Sequence, residues 1–242
     1  DSVCQHERNC AFVGRSDSGG YAYWLIDGFQ PRKVSDEYLD KLLDHEYDMT
    51  AIKGYNLRIS GHMFYLINLP TTDRTFVYDP DEKLWHEWGM NGGRFCINYV
   101  TDVGNGHMYG QVTDNWVVRI EHHTGVDNVT DTSAYDIRVL FRTNRIDMDT
   151  MNRKFLYKLS LFMDQVDTGS TPIKLYMHDN DYRDFVPIVG TSSIDMYSDR
   201  DLPPYAMRLG QFRRRSFEFE DVNTNPQTRY EAMELQYTEG IS

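Results

Sequence analysis

The sequence predicts an all-β protein, and three observations support this fold class. Residues 61–88 contain three short runs of β-branched and aromatic residues separated by turn-rich segments. Aromatic residues make up 14% of the 242 residues, and aromatic side chains suit the pleated surface of a sheet. Only residues 36–44 place apolar residues at the spacing of one helical face. We therefore expect sheets throughout and a single short helix.

The segment 61–88 is predicted to form three consecutive antiparallel strands, at residues 62–68, 75–78 and 84–88. Strands spaced about ten residues apart and joined by short turns form most of one blade of a β-propeller. Trp85 and Trp88 are three residues apart in the last strand, so they cannot share one face. We expect one indole to pack inward and the other to lie over the turn or against a neighbouring blade.

The flanking segments predict further blades over residues 1–125. Ser35 is expected to cap the short helix, with Asp36 and Glu37 in its first turn, where negative charge is favourable. Gly-rich joints separate the predicted strands beyond residue 88. The further predicted strands are 10–14, 21–26, 51–59, 94–100, 108–112 and 116–119.

The second half predicts an antiparallel β-sandwich domain over residues 130–242. A polar stretch at residues 121–133 is interpreted as a linker. Strands follow without intervening helices, which is typical of a sandwich. The predicted strands are 137–142, 155–163, 173–178, 207–212, 216–220 and 231–237. Uniform alternation in 155–163 puts five residues on one face, namely Phe155, Tyr157, Leu159, Leu161 and Met163. It puts Leu156, Lys158, Ser160 and Phe162 on the other face.

The net charge and the lack of long apolar runs exclude some classes of function. Acidic residues outnumber basic ones by 37 to 25, for a formal charge of −12. Tight binding to duplex DNA requires a basic face, so a sequence-reading role is disfavoured. No run of eighteen apolar residues exists, and we expect no membrane association. The chain begins with Asp1 rather than Met, from which we expect a fragment or a processed product.

The three cysteines are too few and too scattered for a disulfide framework or a zinc cluster. Cys4 and Cys10 lie close enough in sequence to pair, but we expect reduced thiols.

Several short motifs have both a chemical and a structural interpretation, and the structural one is favoured for each. His122 and His123, near Glu121 and Asp127, resemble metal ligands, but adjacent strand residues point to opposite faces. Residues 179–184 have the oxygen density of a calcium loop without its turn glycine and final glutamate, so a hairpin tip is expected.

Three other motifs are treated in the same way. Asp79, Asp81 and Glu82 could act as paired carboxylates, but Asp before Pro commonly opens a turn. The basic cluster at residues 213–215 is expected to form a salt-bridged edge or to contact an acidic neighbouring subunit. Trp85, Trp88 and Trp116 could stack on sugars, but blade packing uses the same residues. We predict no catalytic, cofactor-binding or metal-binding residue and no enzymatic activity.

The residues also resemble a known family. The resemblance is carried by DSV at 1–3, FVG at 12–14, GFQPRKVS at 28–35, the segment 61–88 and GHMYG at 106–110. Together these resemble the packaged-DNA stabilisation proteins of short-tailed bacteriophages, which are tail hub and head-closure components. The sequence departs from the family at Thr113, Asp114 and Asn115, where an acidic turn is altered, so no residue role is transferred. The family's chains are longer, and the match would place this chain in their C-terminal half.

The resemblance implies a structural virion protein that closes the portal, retains packaged DNA and forms part of the ejection conduit. It implies a homo-oligomeric ring, expected to be a hexamer, with the portal or adaptor ring and the tail needle or tailspike as neighbours. Double-stranded DNA would pass through it without specific binding, and the ring would be assembled in the bacterial cytoplasm. The main alternative is a glycan- or receptor-binding β-propeller module, and a propeller-type glycosidase is a third possibility.

Overall fold

A computed structural model gives the architecture. It describes residues 2–6, 9–15, 17, 19–59, 61–90, 93–104, 108–112, 116–120, 126–130, 133–163, 172–179, 186–187, 193–195, 202–222 and 229–240. Within these residues the chain has one α-helix and otherwise antiparallel sheets, so the all-β fold class is confirmed. The first twelve strands are β1 Cys4–His6, β2 Asn9–Arg15, β3 Tyr21–Asp27, β4 Gln30–Lys33, β5 Lys53–Ile59, β6 His62–Leu69, β7 Arg74–Asp79, β8 Leu84–Met90, β9 Gly93–Arg94, β10 Ile97–Asp102, β11 Met108–Val112 and β12 Val117–Ile120, with helix α1 at Glu37–His45.

The remaining strands are β13 Val126–Thr130, β14 Ser133–Asp136, β15 Val139–Arg142, β16 Lys154–Met163, β17 Ile173–His178, β18 Val186–Pro187, β19 Ser193–Ile194, β20 Tyr205–Met207, β21 Gln211–Phe212, β22 Ser216–Asp221 and β23 Tyr230–Glu239. The chain forms two compact units. The first comprises Asp1–His122 with Asn128–Tyr135, and the second comprises His123–Asp127 with Asp136–Ser242. The described part of the chain contains no helix with the length and apolar character needed to cross a bilayer.

The described residues up to Ile120 form three meander sheets in chain order: β1–β4, β5–β9 and β10–β12. The first strands of the three sheets are neighbours. The Asn56 side chain of β5 donates to the Gln5 carbonyl of β1 at 3.2 Å, and β5 also lies against β10. Successive meanders whose first strands lie side by side are arranged like the blades of a propeller.

The middle sheet is buried on both faces. On one face Tyr65, Ile67 and Tyr78 join a core shared with the first sheet and the helix. On the other face Leu66 and Val77 join a second core shared with the third sheet. This explains why β6 and β7 contain consecutive apolar residues rather than an alternating pattern.

Helix α1 begins one residue later than the sequence predicts. The Asp36 carboxylate accepts from the Leu39 backbone N–H at 2.8 Å and is the N-cap. The predicted cap, Ser35, is held elsewhere: its hydroxyl accepts from the Tyr23 backbone N–H at 3.0 Å and donates to Asp40 at 2.5 Å. Ser35 therefore fastens the helix to β3 instead of capping it.

The described residues of the second unit form two antiparallel sheets on one apolar core, as expected for a sandwich. One sheet has the order β15–β22–β17–β18, with β19 also paired to β17. In the other, β16 pairs with β20 and β21 along one edge and with β23 along the opposite edge. Phe217 and Phe219 of the first sheet and Leu159 and Leu161 of the second meet in this core.

One predicted strand of the second half is wrong, and the stretch interpreted as a linker contains a strand. The predicted strand 207–212 is two short strands, because Arg208 and Gly210 adopt positive φ angles of 60° and 76° that no regular strand allows. The predicted linker 121–133 includes strand β13, which pairs with β14. Its β-branched Val126, Val129 and Thr130 favour a strand despite the polar neighbours.

Candidate functional site

The outer face of the β16 sheet exposes a group of large apolar side chains. Phe155, Tyr157, Phe162, Tyr205 and Met207 each keep between 39% and 53% of their surface accessible. They belong to β16 and to its neighbour β20, which pairs Ser160 with Tyr205 and Lys158 with Met207. Contiguous exposed apolar side chains on a protein surface are typical of interaction sites. We call these five residues the outer aromatic face.

A β-bulge in β16 creates this face and overturns the predicted alternation. The pairing with β23 shifts register between Leu156 and Lys158. An extra residue in one strand reverses which side chains face the core. Leu156 and Leu159 are consequently both buried, although uniform alternation places them on opposite faces. Phe155 and Tyr157, which the sequence places with the core residues Leu159 and Leu161, are exposed instead.

Polar contacts hold the outer aromatic face in place. The Lys158 ammonium lies 4.6 Å from the centroid of the Tyr205 ring, within the range of a cation–π interaction. The Tyr157 hydroxyl forms a hydrogen bond with the Thr238 hydroxyl of β23. Tyr157 and Tyr205 therefore have fixed partners on the surface, which lowers the entropy lost when the face is covered.

The buried cationic side chains of Lys154 and Arg215 stabilise the segments around this sheet. The Lys154 ammonium donates to the carbonyls of Thr150, Asn152 and Arg213 at 2.6, 3.0 and 3.0 Å. The Arg215 guanidinium binds both carboxylate oxygens of Asp179 at 2.7 and 2.9 Å. These contacts satisfy charges that would otherwise be costly to bury.

The basic cluster at residues 213–215 lies between β21 and β22 and outside both strands. Arg213 is exposed and donates to the Met151 carbonyl at 2.6 Å, whereas Arg215 is buried. The salt-bridged interpretation holds for Arg215 through its pair with Asp179.

The tryptophans of β8 point to opposite faces, as predicted. The Trp85 indole donates to the Val34 carbonyl at 2.8 Å and packs edge-on against Tyr23 at 5.4 Å. Trp88 contacts Phe64 and Phe95 in the other core, with ring centroids 5.6 and 5.9 Å apart. The prediction of core packing is wrong for Trp116, which is 60% exposed.

Asp79 opens a turn, as the structural interpretation predicts. It is 5% exposed at the end of β7. Its Oδ1 accepts from the backbone N–H groups of Asp81 and Glu82 at 2.9 and 3.2 Å. Asp81 and Glu82 are exposed in this turn.

Of the other predicted motifs, Glu121–His123, residues 180–184 and the Asp127 side chain lie outside the described residues.

Cys4 and Cys10 are both thiols. In the β1–β2 hairpin Cys4 is opposite Ala11 and Cys10 is opposite Gln5, so the two side chains point to opposite faces of the sheet. The Cys4 thiol contacts the Tyr23 hydroxyl at 3.7 Å. Burial raises the pKa of the Cys4 thiol to about 11.

Comparison with known proteins agrees with the three-sheet arrangement of the first unit. A family model described as "Bacteriophage P22 Gp10, beta-propeller" matches residues 1–124. No curated protein matches the chain. The matched residues contain all three meander sheets and end just beyond β12. With the family covering half of its length, the chain belongs to the bacteriophage P22 Gp10 β-propeller family of phage structural proteins.

Proposed function

We propose that this chain is a subunit of a ring in the neck of a short phage tail, where it closes the portal and retains packaged DNA. The observation that carries the proposal is the outer aromatic face, which an isolated subunit leaves exposed to water. Family membership supports a structural role in the virion. The ring would be homo-oligomeric, with a hexamer as the expected form and the portal ring and the tail needle or tailspike as neighbours.

The charge supports retention by closure rather than by adhesion. At −12 the chain repels the phosphate backbone. A ring of such subunits would present an acidic wall along which duplex DNA moves without binding. DNA would then be held by a plug and released when the plug opens.

The test uses phage heads filled with DNA and completed with or without the full-length protein. Heads completed with the protein are expected to keep their DNA protected from added nuclease, and heads without it are expected to release DNA. Equal DNA loss in both preparations would contradict the proposed role.

A second experiment tests the contact surface. The double substitution Tyr157→Ser and Phe162→Ser removes apolar area from the outer aromatic face, so it is expected to lower the mass of the assembly seen by size-exclusion chromatography with light scattering. Tyr47→Ser is the matched control, because Tyr47 is 93% exposed but lies in the first unit, just after α1. Assembly that is unchanged in the double variant, or lost equally in the control, would count against the surface.

The alternative of a glycan-binding propeller module is supported by Trp116, whose exposed indole could stack on a sugar ring. A glycan array distinguishes the two functions. Binding to a defined glycan that is abolished by Trp116→Ala would favour the alternative, and an array without hits would remove it.

A further inference from the structure

A histidine and two aspartates converge where β6 begins and β7 ends. Ligand atoms of His62, Asp79 and Asp81 all lie within 4.8 Å of one another. His62 starts β6, Asp79 ends β7, and Asp81 follows in the turn that leads to β8. The β6–β7 register, which pairs Tyr65 with Tyr78, brings His62 alongside this turn.

The separation of His62 and Asp81 suits a shared metal ion better than a hydrogen bond. His62 Nδ1 lies 3.4 Å from Asp81 Oδ2. An N–H···O hydrogen bond spans about 2.7–3.2 Å. Two ligands of a tetrahedral ion with bonds of about 2.0 Å are about 3.3 Å apart. The separation therefore matches one edge of such a coordination sphere.

Asp79 is the buried member of the group, and one of its two carboxylate oxygens is not used by the turn. Only 5% of the residue is accessible to solvent. Both of its hydrogen bonds, from Asp81 N–H and Glu82 N–H, go to Oδ1. Within the described residues Oδ2 accepts no hydrogen bond, and no basic side chain forms an ion pair with this carboxylate. A largely buried carboxylate that lies within 4.8 Å of ligand atoms of a histidine and a second carboxylate can contribute one oxygen to a bound metal ion.

The surroundings keep the ligands in place. The His62 ring stacks on Phe64 with centroids 6.1 Å apart and an interplanar angle of 26°. The two backbone hydrogen bonds to Asp79 fix the turn that carries Asp81. His62 and Asp81 are exposed, so an ion can enter from solvent and keep water in its remaining positions.

We propose that His62, Asp79 and Asp81 form a site for one divalent transition-metal ion, with Zn²⁺ as the best match. One imidazole nitrogen and two carboxylate oxygens are a donor set that Zn²⁺ accepts, whereas Mg²⁺ and Ca²⁺ prefer oxygen alone. A bound ion would link the start of β6 to the β7–β8 turn and so fasten one end of the middle blade. This inference is independent of the proposed role in the phage neck.

The test is calorimetric titration of the full chain with Zn²⁺, Mg²⁺ and Ca²⁺, combined with thermal unfolding. We expect one Zn²⁺ per chain at this site. At a Zn²⁺ concentration about 100-fold above the dissociation constant, the unfolding temperature is expected to rise by roughly 5–10 °C. Mg²⁺ and Ca²⁺ are expected to bind at least ten-fold more weakly.

The variants His62→Asn and Asp81→Asn should each lower Zn²⁺ affinity at least ten-fold and remove the thermal shift. Both positions are exposed, so folding is expected to survive, and the unfolding temperature without metal checks this. His86→Asn and Glu82→Gln are matched controls on the adjacent strand and in the same turn, and they should bind Zn²⁺ normally. Absence of Zn²⁺ binding, or binding that survives His62→Asn, would overturn the proposal.

Discussion

The Cys4 side chain is buried against Tyr23, so its thiol should react slowly with alkylating reagents. A thiol reacts with alkylating reagents as the thiolate, and burial raises the pKa of Cys4 to about 11. We expect iodoacetamide at pH 8 to modify the partly exposed Cys10 and Cys96 well before Cys4, as followed by peptide mass spectrometry. Modification of Cys4 as fast as Cys10 in the folded protein would contradict this burial.

The same thiol should make stability depend on alkaline pH. The pKa of Cys4 rises from 9.0 to about 11 on folding, so the folded state keeps its proton longer than the unfolded state. The contribution of this group to stability is therefore complete below pH 9 and is lost as the pH rises to about 11. The free energy of unfolding, measured by urea denaturation at pH 8 and pH 10, should fall less between the two pH values for Cys4→Ala than for the native chain. An equal fall in the free energy of unfolding for both proteins would show that the Cys4 thiol does not cause the pH dependence.

Replacement of Lys154 should clearly lower the free energy of unfolding of the second unit. Its ammonium donates to three carbonyls and is fully buried. Lys154→Met keeps the length of the side chain but leaves these carbonyls without their donor, which should lower the free energy of unfolding by about 2–5 kcal/mol. Lys158→Met on the same strand is the control, because Lys158 is partly exposed, and about 1 kcal/mol or less is expected there. Urea denaturation gives both values.

At the level of elements, the close approach of the segment before β1 to strand β5 depends on Gly54. A Cβ atom at this position would lie 2.3 Å from the Ser2 carbonyl oxygen. Backbone cannot yield as a side chain does, so Gly54→Ala should destabilise the first unit by about 1–3 kcal/mol. Gly20→Ala is the control, since its Cβ would find nothing nearer than 3.6 Å. Equal unfolding midpoints for the two variants would show that the segment around Ser2 moves away with no loss of stability.

Local sequence patterns identified most strands but not the faces of β16. Hydrophobic runs and turn residues set the limits of β6, β7 and β8 to within two residues of those observed. The bulge after Leu156 depends on the pairing with β23, which lies about seventy residues further along the chain. Because periodicity describes only one strand, it could not reveal a register shift imposed by a distant partner.

The N-cap of α1 shows the same limit at a smaller scale. Ser35 and Asp36 are both good capping residues, and the sequence alone does not separate them. The neighbouring strand decides, because the Tyr23 backbone N–H takes the Ser35 hydroxyl as its acceptor. Asp36 is then left to cap the helix.

Across the whole molecule, the candidate sites combine residues that the sequence keeps apart. The turn role of Asp79 is visible locally, but His62 precedes it by seventeen positions and joins it only through the β6–β7 register. The outer aromatic face likewise combines β16 with β20. No short motif marks either group, since both depend on which strands become neighbours.

The net charge of −12 leads to a last prediction about DNA. Proteins that bind duplex DNA without sequence preference have dissociation constants of about 10⁻⁴–10⁻⁶ M at physiological salt, through contacts of Lys and Arg with phosphate. A chain with an acidic excess should fall outside this range. Fluorescence anisotropy with a labelled duplex is therefore expected to show no binding at tens of micromolar protein. Micromolar binding that weakens steeply with salt would mean that a basic surface holds the DNA. Retention by adhesion would then replace retention by closure, because a wall that binds phosphate also resists its passage.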